Sequence, residues 1–237
     1  MVLMAIFEPP SSRQREELLG SDVATRALSV AVVENDFVER VYENIAWAYD
    51  AFFGPTLHPG RVQAIQRMKI GPHDRVLEVG VGTGINAALY PRTCSVTGID
   101  FSGSMLEKAR DRMARKGIRN VRLFEMDATN LTFTDDTFDI VYAPYVMSVV
   151  SDPFSVVREM FRVCRPGGRI IFLNHFRSPN PALARIERAI SPFTVHIGFK
   201  SDLDLPAFLA QADLKPVSIE KVNIPRLWSL ITCVKDS

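Results

Sequence analysis

The sequence predicts a doubly wound α/β fold, in which a mostly parallel seven-stranded sheet carries helices on both faces and N-terminal helices form a lid. Two observations support this prediction. A short apolar run, Val76 to Val79, enters a glycine-rich turn and then a helical segment, which is the first unit of such folds. Further apolar, strand-like runs alternate with helical patterns along the chain, as parallel sheets require, since helices join their strands.

The chain of 237 residues fits one domain with an N-terminal extension. Residues 8–20 are polar and contain prolines, so we expect residues 1–20 to be a disordered tail. Residues 21–60 carry apolar side chains at spacings of three and four, which predicts amphipathic helices. Residues 61–237 are expected to form the α/β domain.

Within the α/β domain, each element follows from an apolar run or a helical pattern bounded by turn residues. The strands are predicted at 76–79, 96–99, 121–124, 138–143, 169–175, 216–222 and 227–234. The helices are predicted at 61–69, 85–89, 105–116 with Ser102 as its cap, from Asp152-Pro153 onward, 179–190 and 205–211. The last two strands are expected to form the hairpin that completes the sheet.

The glycine-rich turn predicts a site for a nucleoside-containing cofactor. Gly80, Gly82 and Gly84 lack a Cβ, so the backbone can come within contact distance of a ligand. Asp100 ends the second strand, twenty residues after Gly80, where an acid can accept both hydroxyls of a ribose.

Two acids indicate which cofactor binds. Gly82 to Ala87 also satisfies the dinucleotide pattern G-x-G-x-x-A, so that interpretation stays open. Glu78, however, lies two residues ahead of Gly80, where a carboxylate would stabilise a cationic sulfonium and ammonium but not a pyrophosphate. Asp127 follows the third strand and is expected to accept a hydrogen bond from an adenine amine. Both acids favour S-adenosylmethionine.

These motifs occur in a familiar order: E-x-G-x-G-x-G, then I-D, M-D-A, F-D-I-V-Y and R-P-G-G. Over about residues 61–176 the chain thereby resembles the class I S-adenosylmethionine-dependent methyltransferases. The resemblance implies S-adenosylmethionine as cofactor and S-adenosylhomocysteine as product. The cofactor residues expected at the carboxyl ends of the strands are Glu78, Gly80, Gly82, Thr83, Gly84, Asp100, Phe101, Met105, Asp127, Ala128 and Ala143.

Methyl transfer from a sulfonium needs alignment and a dry site, and no pattern in the chain indicates a protein nucleophile. Aromatic faces stabilise a cationic amine, and Arg and Lys side chains suit a phosphate. Between residues 176 and 201 basic side chains outnumber acidic ones. The candidate catalytic residues are Tyr42, Tyr49, Tyr145 and His175, and the candidate phosphate-binding residues are Arg177 and Lys200.

Three longer segments are similar to the soluble bacterial phosphatidylethanolamine (phospholipid) N-methyltransferases. They are Y-x-x-F-F-G-P-x-x-H-P-G-R from Tyr49, G-V-G-T-G-I-N-x-x-L-Y-P from Gly80, and N-H-F-R from Asn174. Those enzymes convert phosphatidylethanolamine to phosphatidylcholine, so the resemblance implies a phospholipid substrate and a cytoplasmic enzyme attached peripherally to the inner face of the membrane. Acidic residues outnumber basic ones in residues 1–60, so attachment is expected to be apolar rather than polybasic.

Other functions stay open at this point. A ubiquinone/menaquinone C-methyltransferase or small-molecule methyltransferase shares the same core, and a nicotinamide-dependent oxidoreductase or a non-catalytic nucleotide-binding module fits the glycine-rich turn. No Y-x-x-x-K pair, common in dehydrogenases of this size, is present. A net charge of +1 argues against a nucleic-acid partner, and the three cysteines lack metal-ligand spacing. We expect no metal and a monomer.

Overall fold

The computed structural model describes residues 57–177, 203–223 and 227–236. In chain order these residues form α1 (57–67), β1 (Arg75–Val79), a 3-10 turn (Ile85–Ala88), β2 (Ser95–Asp100), α2 (Gly103–Arg115), β3 (Val121–Glu125), β4 (Phe138–Pro144), α3 (Pro153–Val163), β5 (Cys164–His175), α4 (Leu205–Gln211), β6 (Ser218–Val222) and β7 (Trp228–Val234).

The described strands form one seven-stranded sheet in the order β3-β2-β1-β4-β5-β7-β6. Strands β1 to β5 pair in parallel, and β7 pairs antiparallel with both β5 and β6. The predicted α/β fold with a mostly parallel seven-stranded sheet is therefore confirmed, including the C-terminal hairpin, whereas the predicted N-terminal lid lies outside the described residues. Since β1 pairs with β2 on one side and with β4 on the other, the strand order reverses there, and a ligand crevice is expected at the carboxyl ends of these strands.

Apolar residues cover both faces of the sheet. On one face Leu77 and Val79 of β1 belong to a buried cluster that includes Met160 of α3 and Phe208 of α4. On the other face Val76 packs in a second cluster, which includes residues of α1. Burial on both faces explains why the central strands appear in the sequence as continuous apolar runs.

Helices α2 and α3 begin at side-chain caps, as does α4, where Asp204 Oδ1 accepts a hydrogen bond from the Ala207 N–H. Ser102 Oγ accepts a hydrogen bond from the Met105 N–H at the start of α2, as predicted. Asp152 Oδ1 accepts from the N–H groups of Phe154 and Ser155 at 3.1 and 3.0 Å. These caps satisfy N–H groups that the first helical turn leaves unpaired.

Three predicted boundaries differ from the structure. Residues 57–60 are already helical, so α1 runs across the expected boundary between residues 60 and 61. The helix expected over 85–89 is a single 3-10 turn. β5 begins at Cys164 rather than at the predicted residue 169. The R-P-G-G segment, predicted as a turn before the strand, is an irregular first part of it, where the register with β4 shifts.

The expected tail over 1–20, most of the segment 21–60 and the helix expected over 179–190 lie outside the described residues. Within the described part of the chain, no helix has the length and apolar character that a membrane span requires.

Candidate active site

The turn after β1 places glycine backbone, which has no side chains, at the carboxyl edge of the sheet. Gly80, Gly82 and Gly84 have φ values of 70°, 53° and 73°, where only glycine is free of strain. A Cβ at Gly80 would come within 2.4 Å of Val146 Cγ2, whereas a Cβ at Gly82 would meet nothing within 4 Å. Gly82 therefore faces open space in which a ligand can contact the backbone directly.

α2 fixes the far end of this turn. Arg112 Nη1 donates hydrogen bonds to the Thr83 carbonyl oxygen and to Thr83 Oγ1, both at 2.9 Å. A Cβ at Gly84 would lie 3.0 Å from Ala109 Cβ. Gly84 thus allows the turn to pack closely on α2, and it does not itself line the cavity described below.

Asp100 lies beside the turn with an oriented carboxylate. Its Oδ2 accepts a hydrogen bond from Gly82 N at 2.7 Å, and its Oδ1 accepts from Ser102 N at 3.0 Å. Burial raises the pKa of Asp100, while these backbone N–H groups oppose the shift because they stabilise the charged form. Each oxygen keeps a second lone pair, so the carboxylate can accept two further hydrogen bonds, as the two hydroxyls of a ribose would supply.

A cavity lies over the carboxyl ends of β1, β2 and β4. Most of the predicted cofactor residues line it, together with the predicted Tyr145. The predicted cofactor residues on its wall are Gly80, Gly82, Thr83, Asp100, Phe101, Met105, Asp127 and Ala128.

The end of the cavity near β2 and β3 suits a flat, partly polar group. Phe101 lines the wall although it is 47% exposed, so it lies at the rim. Asp127 Oδ1 accepts hydrogen bonds from the N–H and the hydroxyl of Thr129, both at 2.8 Å. Ala128 adds an apolar surface beside it. An aromatic rim, an apolar wall and an oriented acceptor together match an adenine ring and its exocyclic amine.

Glu78 lies behind the cavity wall rather than in it. It is still part of β1, and its side chain points to the face of the sheet that α1 covers. Its two carboxylate oxygens accept hydrogen bonds at 2.6 Å from Asn86 Nδ2 and from the Tyr90 hydroxyl. Burial raises the pKa of Glu78 to about 7, against the opposing effect of these two hydrogen bonds. Glu78 is therefore not placed for the expected direct contact with a sulfonium in the cavity.

Tyr145 lines the cavity and also holds α1 in place. Its hydroxyl donates to the Leu57 carbonyl oxygen at 2.9 Å and accepts from Asn223 Nδ2 at 3.1 Å. Asn223 Oδ1 in turn accepts from Gly60 N at 2.5 Å. We call these four residues the α1 anchor. Tyr145 and Asn223 have φ values of 62° and 64°, an uncommon conformation for residues with side chains.

Arg61 lines the cavity although the sequence patterns did not single it out. Its guanidinium carbon lies 4.8 Å from the centroid of the Tyr145 ring, and its Nη1 donates to Asn86 Oδ1 at 3.2 Å. The only signal for it is its place at the end of the H-P-G-R segment. Asn86, Tyr90 and Asn223 were missed in the same way, because their roles depend on contacts between distant segments.

The other predicted residues are not brought to the cavity wall. Ala143 lies in the core of the sheet, one residue before the first wall residue of β4. His175 is 8% exposed and packs against Trp228, with ring centroids 5.9 Å apart. Arg177 Nη2 forms an ion pair with Asp204 Oδ2 at 2.5 Å.

Tyr42, Tyr49 and Lys200 lie outside the described residues. In the part of the chain that the structure describes, no group of three or more His, Cys, Asp or Glu side chains comes together in a way that would hold a metal ion.

Comparison with known proteins identifies the family. Residues 77–172 match a family model described as a methyltransferase domain. Over 192 residues the chain is 41% identical to the phosphatidylethanolamine N-methyltransferase of Cereibacter sphaeroides, which covers 78% of this chain and 91% of that relative. The chain belongs to the class I S-adenosylmethionine-dependent methyltransferases.

This methyltransferase is also 32% identical over 152 residues to the ubiquinone/menaquinone biosynthesis C-methyltransferase of Geotalea daltonii, covering 60% of this chain and 64% of that relative. Its fold matches the phosphoethanolamine N-methyltransferase 2 of Haemonchus contortus, solved with phosphomonomethylethanolamine and S-adenosylhomocysteine. The TM-score is 0.70 at 17% identity, covering 86% of this chain and 61% of that chain.

The cofactor of this methyltransferase is S-adenosylmethionine. The residues of the cavity fit it, because the open space above Gly82 admits a ligand to the backbone and the Asp100 carboxylate has acceptor capacity left for a ribose. The contacts of individual residues with the cofactor stay predictions.

Proposed function

We propose that this methyltransferase N-methylates phosphatidylethanolamine, and its monomethyl and dimethyl forms, towards phosphatidylcholine at a membrane surface. The observation that carries the proposal is the 41% identity to a phosphatidylethanolamine N-methyltransferase, which spans 91% of that relative. The similarity to the C-methyltransferase is shorter and lower, at 32% over 152 residues.

The chemistry requires a neutral amine at the cavity. When bound, the cofactor supplies a methyl group on a positively charged sulfur, which leaves as a neutral thioether when the amine nitrogen attacks the methyl carbon. A lipid amine has a pKa of about 10 in water, like that of lysine, and an apolar pocket lowers this value. His175 lies away from the cavity wall. We therefore assign the loss of the amine proton to desolvation and transfer to water.

Aromatic rings are proposed to stabilise the ammonium that forms. Tyr145 has the Arg61 guanidinium against one face of its ring, and the other face is proposed to contact the ammonium. Tyr42 and Tyr49, seven residues apart in the sequence, are proposed to supply further ring faces. Each ring face adds about 0.5–2 kcal/mol to the binding of such a cation.

Arg177 and Lys200 are proposed to bind the lipid phosphate. Arg177 is paired with Asp204 across 2.5 Å, and both side chains are one-third exposed. The phosphate would therefore replace a carboxylate as the partner of Arg177, an exchange between two anions that a guanidinium binds in the same forked geometry.

The experiment that tests the proposal measures transfer of a radiolabelled methyl group from S-adenosylmethionine. The purified protein is incubated with vesicles of phosphatidylethanolamine and, separately, with a demethylated quinol, and the products are resolved by chromatography. Label in monomethyl, dimethyl and trimethyl phospholipid is expected, and Asp100→Ala serves as a variant with weakened cofactor binding. Label in the quinol alone would replace this proposal by C-methylation, the second candidate that the Geotalea daltonii relative supports.

A further inference from the structure

One end of the cavity carries a positive charge, that of Arg61, whose hydrogen-bonding capacity the described residues use only in part. Arg61 Nε is buried and has no hydrogen-bond partner. The Tyr142 hydroxyl is also buried and unpaired. The charge of Arg61 lowers the pKa of Tyr142, although burial raises it overall, so the two groups lie within electrostatic range of each other. Unpaired buried donors are costly, and two in one neighbourhood indicate a site for an acceptor.

The partners that Arg61 does have are neutral. Its Nη1 donates to the Asn86 side-chain oxygen at 3.2 Å, and its guanidinium stacks on the Tyr145 ring. Among residues 57–177, 203–223 and 227–236, no carboxylate forms an ion pair with it. Glu78 is within electrostatic range, but both of its oxygens already accept hydrogen bonds from Asn86 and Tyr90.

The free edge of this guanidinium has the shape of a carboxylate receptor. Because Nη1 is used by Asn86, the edge formed by Nε and Nη2 is the one left for a ligand, and a guanidinium edge binds the two oxygens of a carboxylate in parallel. The α1 anchor fixes Tyr145, on whose ring Arg61 lies, so the edge is held in position before a ligand arrives.

The position of Arg61 along the sheet identifies the carboxylate. Asp127 follows β3, Asp100 ends β2, the glycine turn follows β1, and Tyr145 follows β4, which is the order of these strands in the sheet. Three strand spacings, about 14 Å, separate the β3 and β4 ends. If the base lies at Asp127 and the ribose at Asp100, the amino-acid tail of the cofactor extends towards β4 and Arg61.

We infer that Arg61 binds the α-carboxylate of the cofactor's amino-acid tail through its Nε–Nη2 edge. No motif of the sequence and none of the comparisons assigns this role to α1. The inference concerns the methyl donor, so it holds whichever acceptor the enzyme methylates.

Two ligands that differ only in this tail test the inference. S-adenosylhomocysteine has the amino-acid tail, whereas 5′-methylthioadenosine has the same nucleoside and thioether without it. Calorimetric titration of Arg61→Met is expected to show at least tenfold weaker binding of S-adenosylhomocysteine than wild type, with 5′-methylthioadenosine affinity within twofold. Arg61→Lys keeps the positive charge but not the two parallel N–H donors. Its affinity for S-adenosylhomocysteine is expected to lie between those of wild type and Arg61→Met.

The matched control is Arg67→Met on the same helix. Arg67 is exposed and pairs with Glu220 at 3.0 Å, away from the cavity, so both ligands should bind as in wild type. Thermal unfolding without ligand checks that each variant is folded. Equal weakening of both ligands, or unchanged binding of S-adenosylhomocysteine, would overturn the inference. An increased KM for phosphatidylethanolamine with unchanged S-adenosylhomocysteine binding would instead make Arg61 a phosphate ligand and equally overturn it.

Discussion

Asp100 contributes to the site through acceptor capacity that its backbone partners leave unused. Replacing it with Ala removes two hydrogen bonds to a charged acceptor, and we expect a loss of roughly 2–4 kcal/mol in the binding of S-adenosylhomocysteine. This corresponds to a dissociation constant about 30- to 700-fold higher by calorimetry. Asp111→Ala, on the exposed side of α2, is the control. Binding of Asp100→Ala within a few-fold of wild type would show that the ribose is held elsewhere.

Glu78 makes stability depend on pH. In the unfolded chain it ionises near its ordinary pKa of 4.5, whereas in the folded protein it stays protonated up to about 7. The folded state therefore binds more protons, and the free energy of unfolding falls as the pH rises from about 4.5 to 7, by roughly 3 kcal/mol. Below pH 4.5 the free energy of unfolding is not reduced by this effect, and above pH 7 the reduction is complete.

The variant Glu78→Gln is neutral at every pH and keeps hydrogen-bonding groups for Asn86 and Tyr90. The difference in the free energy of unfolding, Glu78→Gln minus wild type, is expected to increase by roughly 3 kcal/mol between pH 4.5 and 8. Urea unfolding of the cofactor-free protein at several pH values measures this difference. Parallel stability curves for the two proteins would contradict the assigned pKa.

The placement of residues that follow the strands could be predicted from the sequence, because the carboxyl ends of parallel strands meet at one edge of the sheet. Asp100 and Asp127 were expected at the cavity, and both line it. Glu78 was also expected there, but a residue two positions before the turn still follows the alternation of its strand. Whether its side chain reaches the edge or a face depends on the register of β1 and on partners such as Tyr90, which the sequence alone does not specify.

At the scale of elements, the central strands were predicted closely. The run 121–124 corresponds to β3 at Val121–Glu125, and 138–143 to β4 at Phe138–Pro144, since both consist largely of apolar residues between turn signals. The helical conformation of residues 57–60 was not predicted, because Pro59 and Gly60 are helix breakers by propensity. Gly60 is accommodated in the helix for a tertiary reason.

The contact of Gly60 with Asn223 predicts that a Gly→Ala substitution in this helix destabilises the protein. Gly→Ala within a helix ordinarily stabilises a protein by up to about 1 kcal/mol. A Cβ at Gly60, however, would lie 2.5 Å from the Asn223 side-chain oxygen, which is fixed by the α1 anchor. We therefore expect Gly60→Ala to lower the free energy of unfolding by about 1–3 kcal/mol.

Urea denaturation tests this sign, with Gln66→Ala on the exposed side of α1 as the control. The control should change stability by no more than about 0.5 kcal/mol. Stabilisation by Gly60→Ala would mean that α1 and Asn223 do not pack as the structure shows.

At the scale of the whole molecule, membrane attachment stays a prediction that rests on residues 21–53. Their aromatic side chains, Trp47, Phe52 and Phe53, are expected to enter the lipid interface. Replacing these three residues with Ser should reduce co-sedimentation with vesicles while leaving S-adenosylhomocysteine affinity unchanged. Because the attraction is apolar, added salt should weaken binding only modestly.

A steep dependence on salt would instead assign attachment to the basic side chains around the end of α2. Replacing Arg119 and Arg122 with Ser distinguishes the two surfaces, since both residues are exposed and lie outside the cavity. Vesicle binding and lipid turnover that are both unchanged by the three Ser substitutions would eliminate these aromatic side chains as the attachment site.

The α1 anchor joins residues that the ribosome makes at very different times. Gly60 and Asn223 are 163 residues apart in the chain. At about 5–20 residues per second, roughly 10–30 s of synthesis separate the emergence of the two. Once Tyr145 has emerged, it has only the Leu57 partner until Asn223 follows, and until then α1 has no partner from the C-terminal hairpin. A nascent chain can therefore build the glycine turn and the central strands early, but it fixes Arg61 in its final place only after β6 has left the ribosome.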